Sequence, residues 1–323
     1  MTEHDQPGTP GETLRGSVTL LGPQRRPRLS AVVDQLGLEG PFATINAGWQ
    51  ERESDDDELD RQLGGRSRNL TLWTRWQDVL ERDPEYAAAA RQHRDVLQET
   101  QDLYLLGLDH ALQAVLDLDR QPIRSEQVRE AAVAEAEWVL RKIDERHLDK
   151  VRAIHADFYA RHPPHERAAI VEHRAAVAGM LADAGALVLT GGHVGVLLEV
   201  LHLFNVGAEV DELPVLAWSA GAMALTDRVV LFHDRVAHGP TSAEVYDAGI
   251  GLVPGIVPLP HARRRLHTED AARMAILARR FAPSTCLLLD DGARVDLGPD
   301  GELPADATVF DRQGSIVAKG DLV

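Results

Sequence analysis

Cysteine is almost missing from this chain: Cys286 stands alone among 323 residues. An intramolecular disulfide is therefore excluded, and a reducing compartment, the cytoplasm, is the natural setting. Positive charge is also short, with 34 Lys and Arg against 51 Asp and Glu and a formal net charge of −17. Nonspecific nucleic-acid binding needs a cationic surface, so nucleic acid is not an expected partner. An anionic substrate would have to be met by a local group of arginines. No apolar run is long enough to span a bilayer, so no membrane association is expected. Met1 to Gly11 lacks a basic start followed by an apolar stretch. That segment is polar and rich in Pro and Gly, and residues 1–15 are expected to form a disordered leader, not a signal peptide. What remains is ordinary for a globular protein: 44% apolar and 26% charged residues.

The order of patterns along the chain suggests an α/β domain interrupted by helices. Val18 to Leu21 and Phe42 to Asn46 are short apolar runs with strand character, and Leu29 to Leu36 has helical spacing between them. The loop Gly48 to Glu53 leaves the second strand and carries Trp49, Gln50 and Arg52. The acidic run Asp55 to Glu58 suits a helix start, where the dipole favours carboxylates. Asn69 to Leu72 is expected to be a third strand. From about residue 75 to 180 glycine and strand signals are few. Leu105, Leu108, Leu112 and Leu116 recur at helical spacing, as do Val128, Ala132, Ala136, Val139 and Ile143 after Ser125, a natural N-cap. Residues 75–180 are expected to be a helical insertion between the halves, 16–74 and 181–323, of one α/β domain. His147, His155, His162, His165 and His173 match no metal-ligand spacing, so no metal and no cofactor are expected. Strand–helix alternation resumes with Ala186 to Thr190, Val194 to Phe204 and Pro214 to Ala217. Ile256 to Leu259, a helix from Thr268 to Phe281, and short strands from Cys286 onward follow, the last group suggesting an antiparallel edge. This alternation predicts a mostly parallel sheet with helices on both faces.

The chemistry centres on Val215-Leu216-Ala217-Trp218-Ser219-Ala220-Gly221-Ala222. A strand enters, a helix of small residues leaves, and Ala217 and Gly221 flank the serine two positions either side. A nucleophile elbow needs small residues there because its turn is tight. Ser219 would stand at the strand's carboxyl end, and the Ala220 N–H would face a developing oxyanion. The plainer alternative is a serine that only caps the helix. Gly191-Gly192 ends the preceding strand, and the Gly192 N–H could complete an oxyanion hole. His261 follows an apolar strand, which predicts the same sheet edge as Ser219 and a role as base. Arg263, Arg264 and Arg265 follow it. They are either a solvated surface run or, through Arg263 or Arg265, a grip on a substrate carboxylate. Arg52 is a further candidate for that grip.

Thr190-Gly191-Gly192, Trp218-Ser219-Ala220-Gly221-Ala222 and Gly249-Ile250-Gly251-Leu252-Val253-Pro254 through Pro260-His261-Ala262 resemble the aspartyl dipeptidase and cyanophycinase family of serine peptidases. The likeness covers Val18 to Leu72 weakly and Ala186 to Leu297 well, and leaves out the helical stretch. It implies a fold similar to class I glutamine amidotransferases and a Ser–His–acid triad. In it Ser219 is the nucleophile, His261 the base, and Asp291 the acid, with Asp234 as an alternative. It also implies cleavage of an amide bond whose acyl part derives from aspartate. Where that family carries substrate-contacting polar residues after its glycines, this chain has His193 and Val194, and Trp218 replaces a smaller residue before the serine. His193 and Trp218 are thus expected to shape the substrate site. The resulting expectation is a serine hydrolase acting on a small peptide or amide. The competing expectation is a non-catalytic binding or regulatory protein, with the insertion serving a protein partner or a second copy in a homodimer. A glutaminase is disfavoured because that chemistry needs a cysteine at the elbow.

Overall fold

The computed structural model describes residues 16–24, 28–122, 124–210, 212–232 and 243–322. The expected leader, and the segment holding Asp234, lie outside the described residues. The first half of the chain gives β1 (Val18–Leu21), α1 (Leu29–Leu36), β2 (Phe42–Ile45), a 3₁₀ segment (Ala47–Arg52), α2 (Asp57–Gln62), β3 (Ser67–Asn69) and α3 (Leu72–Arg82). Then come α4 (Pro84–Arg120), α5 (Glu126–Arg161) and α6 (Ala168–Ala182). The second half gives β4 (Ala186–Leu189), α7 (Val194–Leu203), α8 (Val206–Glu209), β5 (Val215–Trp218), α9 (Ala220–Ala224), β6 (Val229–Leu231) and β7 (Glu244–Asp247). It closes with β8 (Ile256–Pro260), α10 (Ala262–Arg265), α11 (Ala271–Phe281), β9 (Thr285–Leu289), β10 (Arg294–Asp296), β11 (Thr308–Phe310) and β12 (Ile316–Ala318).

The protein is mixed α/β, with a mostly parallel central sheet and a long helical insertion between β3 and β4. The six strands run in the order β10-β1-β5-β4-β2-β3, and only β10 is antiparallel to its neighbour. All residues of β1, β2, β4 and β5 are buried. That is why these segments are continuous apolar runs and not alternating ones. The helix α7 buries seven of its ten residues, because the sheet lies on one side of it and the insertion on the other.

Three expectations need correction. Asn69 to Leu72 is not a strand: β3 ends at Asn69, and Leu72 opens α3. The buried Glu53 carboxylate fixes that start by accepting from Trp73 N at 2.8 Å, Thr74 N at 3.0 Å and Thr74 Oγ1 at 2.9 Å. Thr268 does not cap α11, the helix expected from Thr268 to Phe281. Asp270 does so, accepting from Arg273 N at 3.0 Å, and the helix begins at Ala271. The late strands do not all edge the main sheet. Only β10 joins it, while β12-β11-β9-β8 is a separate four-stranded sheet in which β8 and β9 are parallel.

Within the insertion, α4 and α5 are an antiparallel pair of 37 and 36 residues. Asp83 caps α4 by accepting from Tyr86 N, with Pro84 at the first helical position, and Ser125 caps α5 by accepting from Val128 N. The pair is fastened to the body by a buried network. The Arg280 guanidinium donates twice to Asp144, at 2.6 and 2.7 Å, and also to the Ala243 carbonyl and the Tyr104 hydroxyl. Tyr104 in turn donates to Asp144 and accepts from Val245 N. No described helix is long and apolar enough to cross a membrane.

Candidate active site

At the carboxyl end of β5 the chain turns directly into α9, and Ser219 sits on that turn with φ 54° and ψ −122°. L-residues avoid this region, at a cost of about 1–3 kcal/mol, so the surrounding packing must hold it. The tightness is visible at the glycines. A Cβ on Gly221 would lie 2.5 Å from the Thr190 carbonyl oxygen, and one on Gly191 would lie 2.9 Å from the Ser219 Cβ. Ser219 is half-buried, whereas Ala220 and Trp218 are buried. Ala220 is the first residue of α9, so its N–H has no helical carbonyl before it to bond.

The Gly191-Gly192 turn after β4 is pressed against the loop after β2. His193 N donates to the Gly48 carbonyl at 2.8 Å. A Cβ on Gly192, where φ is 123°, would lie 2.3 Å from the Gly48 oxygen, and one on Gly48 would lie 2.7 Å from the Gly191 oxygen. Backbone thus touches backbone, with no room for a side chain on either strand of the contact.

His261 reaches the same cleft from a different sheet. It follows β8 with φ 57° and opens the short helix α10, its N–H donating to the Leu289 carbonyl at 3.0 Å. The expectation of one shared sheet edge is therefore replaced by two sheets meeting. The Gly249 to Val253 segment brings β8 up to α9: Ile250 N donates to the Ala224 carbonyl, Gly251 N to Thr226 and Val253 N to Leu225. A Cβ at Gly249 would fall 2.0 Å from the Thr226 oxygen, which accounts for the glycine in that motif.

The cleft has a volume of about 290 Å³, and its walls include Trp49, Gly191, Gly192, Trp218, Ser219 and His261. No hydrogen bond joins Ser219 to His261. The His261 Nδ1 lies 3.5 Å from Asp291 Oδ1, and the Asp291 side chain is 73% exposed. Its neighbour Asp290 is engaged elsewhere, accepting from Arg263 N at 3.0 Å and pairing with Arg263 Nε at 3.3 Å. Burial pushes the His261 imidazole below the usual histidine range. The charges of Arg264 and Arg265 push the same way, against Asp291 and Asp290. A ring that stays neutral near pH 7 is suited to accept a proton.

The expected substrate contacts divide. Trp218 lines the cleft, but Arg52, Arg263 and Arg265 do not. Arg263 is paired with Asp290, and the Arg265 guanidinium lies 5.9 Å over the Phe232 ring. His193 caps α7, its Nδ1 accepting from Val196 N, and faces a second cavity beyond the cleft. The sequence reading missed that the charged wall of the cleft is acidic, supplied by Asp55 and Glu58 beside Pro23, Gln24 and Leu59. The acidic run was visible in the sequence, but its place in the cleft wall depends on how the loop after β2 folds back. Among the described residues no three His, Cys, Asp or Glu side chains are placed to hold a metal ion.

No family model matches the sequence, and no curated protein does so. Among solved structures, a peptidase from an acI-B1 Actinobacterium aligns over 93% of this chain and 88% of its own, with 13% sequence identity and a TM-score of 0.43.

Proposed function

We propose that the protein is a serine hydrolase that cleaves an amide bond through an acyl-enzyme on Ser219. The observation that carries this reading is the backbone of Ser219, held at φ 54° on a strand-to-helix turn in a cleft that also contains His261. A serine that merely capped α9 would need no such strain, and the Ser219 side chain caps nothing. In the proposed reaction the Ser219 Oγ attacks the scissile carbonyl carbon while His261 takes the hydroxyl proton. The oxyanion is met by the N–H groups of Gly192 and Ala220. Collapse of the tetrahedral intermediate breaks the C–N bond, and His261 returns the proton to the leaving amine. Water then attacks the acyl-enzyme by the same route in reverse. Asp291 is assigned as the acid that orients His261, with Asp234 as the alternative.

The resemblance in the glycine, elbow and histidine motifs supports an aspartate-derived acyl group. The acidic wall of Asp55 and Glu58, and the arginines' absence from the cleft lining, weigh against it. A second reading, a non-catalytic binding protein, is favoured by the missing Ser219–His261 hydrogen bond and the exposure of Asp291. Catalytic hydrogen bonds are often long until substrate binds, so the first reading is preferred. A fluorophosphonate probe distinguishes the two. Labelling of the native chain and none of Ser219→Ala is expected. An aspartyl and β-aspartyl dipeptide panel, run beside neutral and basic dipeptides, then reads the substrate. Equal labelling of both proteins, or none of either, would remove the hydrolase assignment.

A further inference from the structure

The insertion and the body enclose a second cavity, of about 220 Å³, between α4, α5, β7 and one face of α7. It adjoins the cleft through a single turn: Gly191 and Gly192 line the cleft, and His193 lines the cavity. Its walls hold an unusual concentration of unspent polarity. Trp76 Nε1, Arg94 Nη1 and His155 Nδ1 are buried nitrogens with no hydrogen-bond partner, and all three residues line the cavity. Native proteins rarely leave buried polar atoms unmatched, so a cluster of them marks a place for a polar guest.

The charges say what kind. His155 and Asp247 neutralise one another through a 2.8 Å contact. That leaves Arg94, on α4, and Glu199, on α7, both facing the cavity. Among the described residues neither makes an ion pair or a side-chain hydrogen bond, although the Arg94 guanidinium lies 5.7 Å over the Trp76 ring. Burial raises the Glu199 carboxyl above the usual carboxylate range, and Arg94 is the largest influence against that shift. An ammonium group placed beside it would restore its charge. A guanidinium and a carboxyl, neither with an ion-pair partner, facing one small cavity with Tyr159 and Tyr246 in its wall, are complementary to a zwitterion.

We propose that this cavity binds a free α-amino acid, with the carboxylate on Arg94 and Trp76 Nε1, the ammonium group on Glu199, and the side chain against Tyr159 and Tyr246. The site is separate from the Ser219 cleft and does not depend on the function proposed for it. Gly195 lets the Tyr246 hydroxyl approach the cavity wall, since a Cβ there would lie 2.6 Å from that oxygen.

The test is calorimetric titration of the full chain with the common L-amino acids. The tightest is then compared with its amide, which lacks the carboxylate, and its N-acetyl derivative, which lacks the ammonium group. At least one amino acid is expected to bind with a Kd below about 1 mM, and both derivatives about tenfold or more weaker. Arg94→Gln and Glu199→Gln should each weaken binding about tenfold or more, and Arg94→Lys by less, with melting curves showing that each variant folds. Ser219→Ala should bind as the native chain does. The proposal is overturned if no amino acid binds, or if the derivatives bind equally well. It is also overturned if Ser219→Ala alone abolishes binding, or if a crystal grown with saturating amino acid shows only water on Arg94 and Trp76.

Discussion

At the scale of the residue, Ser219 is a side chain placed where glycine belongs. Its φ of 54° with ψ of −122° is one that glycine adopts without penalty. Ser219→Gly is therefore expected to stabilise the fold, by about 1 kcal/mol or more, while ending any hydrolysis the serine performs. Urea denaturation of Ser219→Gly beside Ser219→Ala checks this. The alanine variant keeps the strain and should melt near the native chain, and an unstable glycine variant would mean that the turn is not strained. His261, at φ 57°, shares this kind of backbone, so two of the proposed catalytic side chains leave the chain at unfavourable angles. Such conformations leave only a faint trace in sequence. The small residues around Ser219 were legible as an elbow because collisions of 2.5–2.9 Å exclude larger ones at Gly221 and Gly191. The 3.5 Å approach of Asp291 to His261 was not, because Asp290 and Asp291 are adjacent and only the pairing of Asp290 with Arg263 separates them.

At the scale of the element, the helical character of α4 and α5 was legible from leucine and alanine spacing and from Ser125 as a cap, whereas the Asp83 cap of α4 was not. Nor was the attachment of the pair to the body. The buried knot of Tyr104, Asp144 and Arg280 joins positions as far as 176 apart in the chain, and no local pattern marks such a pairing. Buried charge pairs are costly to break on one side only, because the survivor is left uncompensated. Arg280→Met alone is expected to destabilise the protein by about 3–5 kcal/mol. Combined with Asp144→Leu, the loss should be smaller than that of the two single changes added together. Denaturant titrations of the three variants provide the measurement. Additive losses would mean that the two side chains act independently. The same argument explains why the late strands were misplaced: β8 and β9 have the apolar look of any buried parallel pair, and which sheet they join is decided by distant contacts.

At the scale of the whole molecule, the α/β class, the mostly parallel sheet and the long helical insertion followed from alternation of apolar runs, whereas β7 went unread. The meeting of two sheets at one cleft did not follow from it, since it requires the Gly249 to Val253 segment to bond behind α9. Stability as a whole should carry the signature of two histidines buried on the insertion's own helices, His93 on α4 and His147 on α5. Burial pushes His93 and His147 down to about 4. In the unfolded chain they bind protons near pH 6.5, so between about pH 6.5 and 4 the unfolded state holds more protons than the folded one. Their contribution is full above pH 6.5 and is lost as the pH falls toward 4. The raised carboxyls of Glu199 and Glu244 act in the opposite sense, so the comparison must be between variants. His93→Phe with His147→Phe is expected to show a smaller drop in Tm from pH 7 to pH 4.5 than the native chain. An identical drop would mean that these rings are not the acid-sensitive groups. The backbone contact between Gly48 and Gly192 reaches further still, into which related sequences this fold can visit. A side chain at either position meets main chain on the other side, so neither glycine can be exchanged by one step while the two loops keep their present separation. Any descendant that abandons one of them must first move a loop, and with it the floor of the cleft.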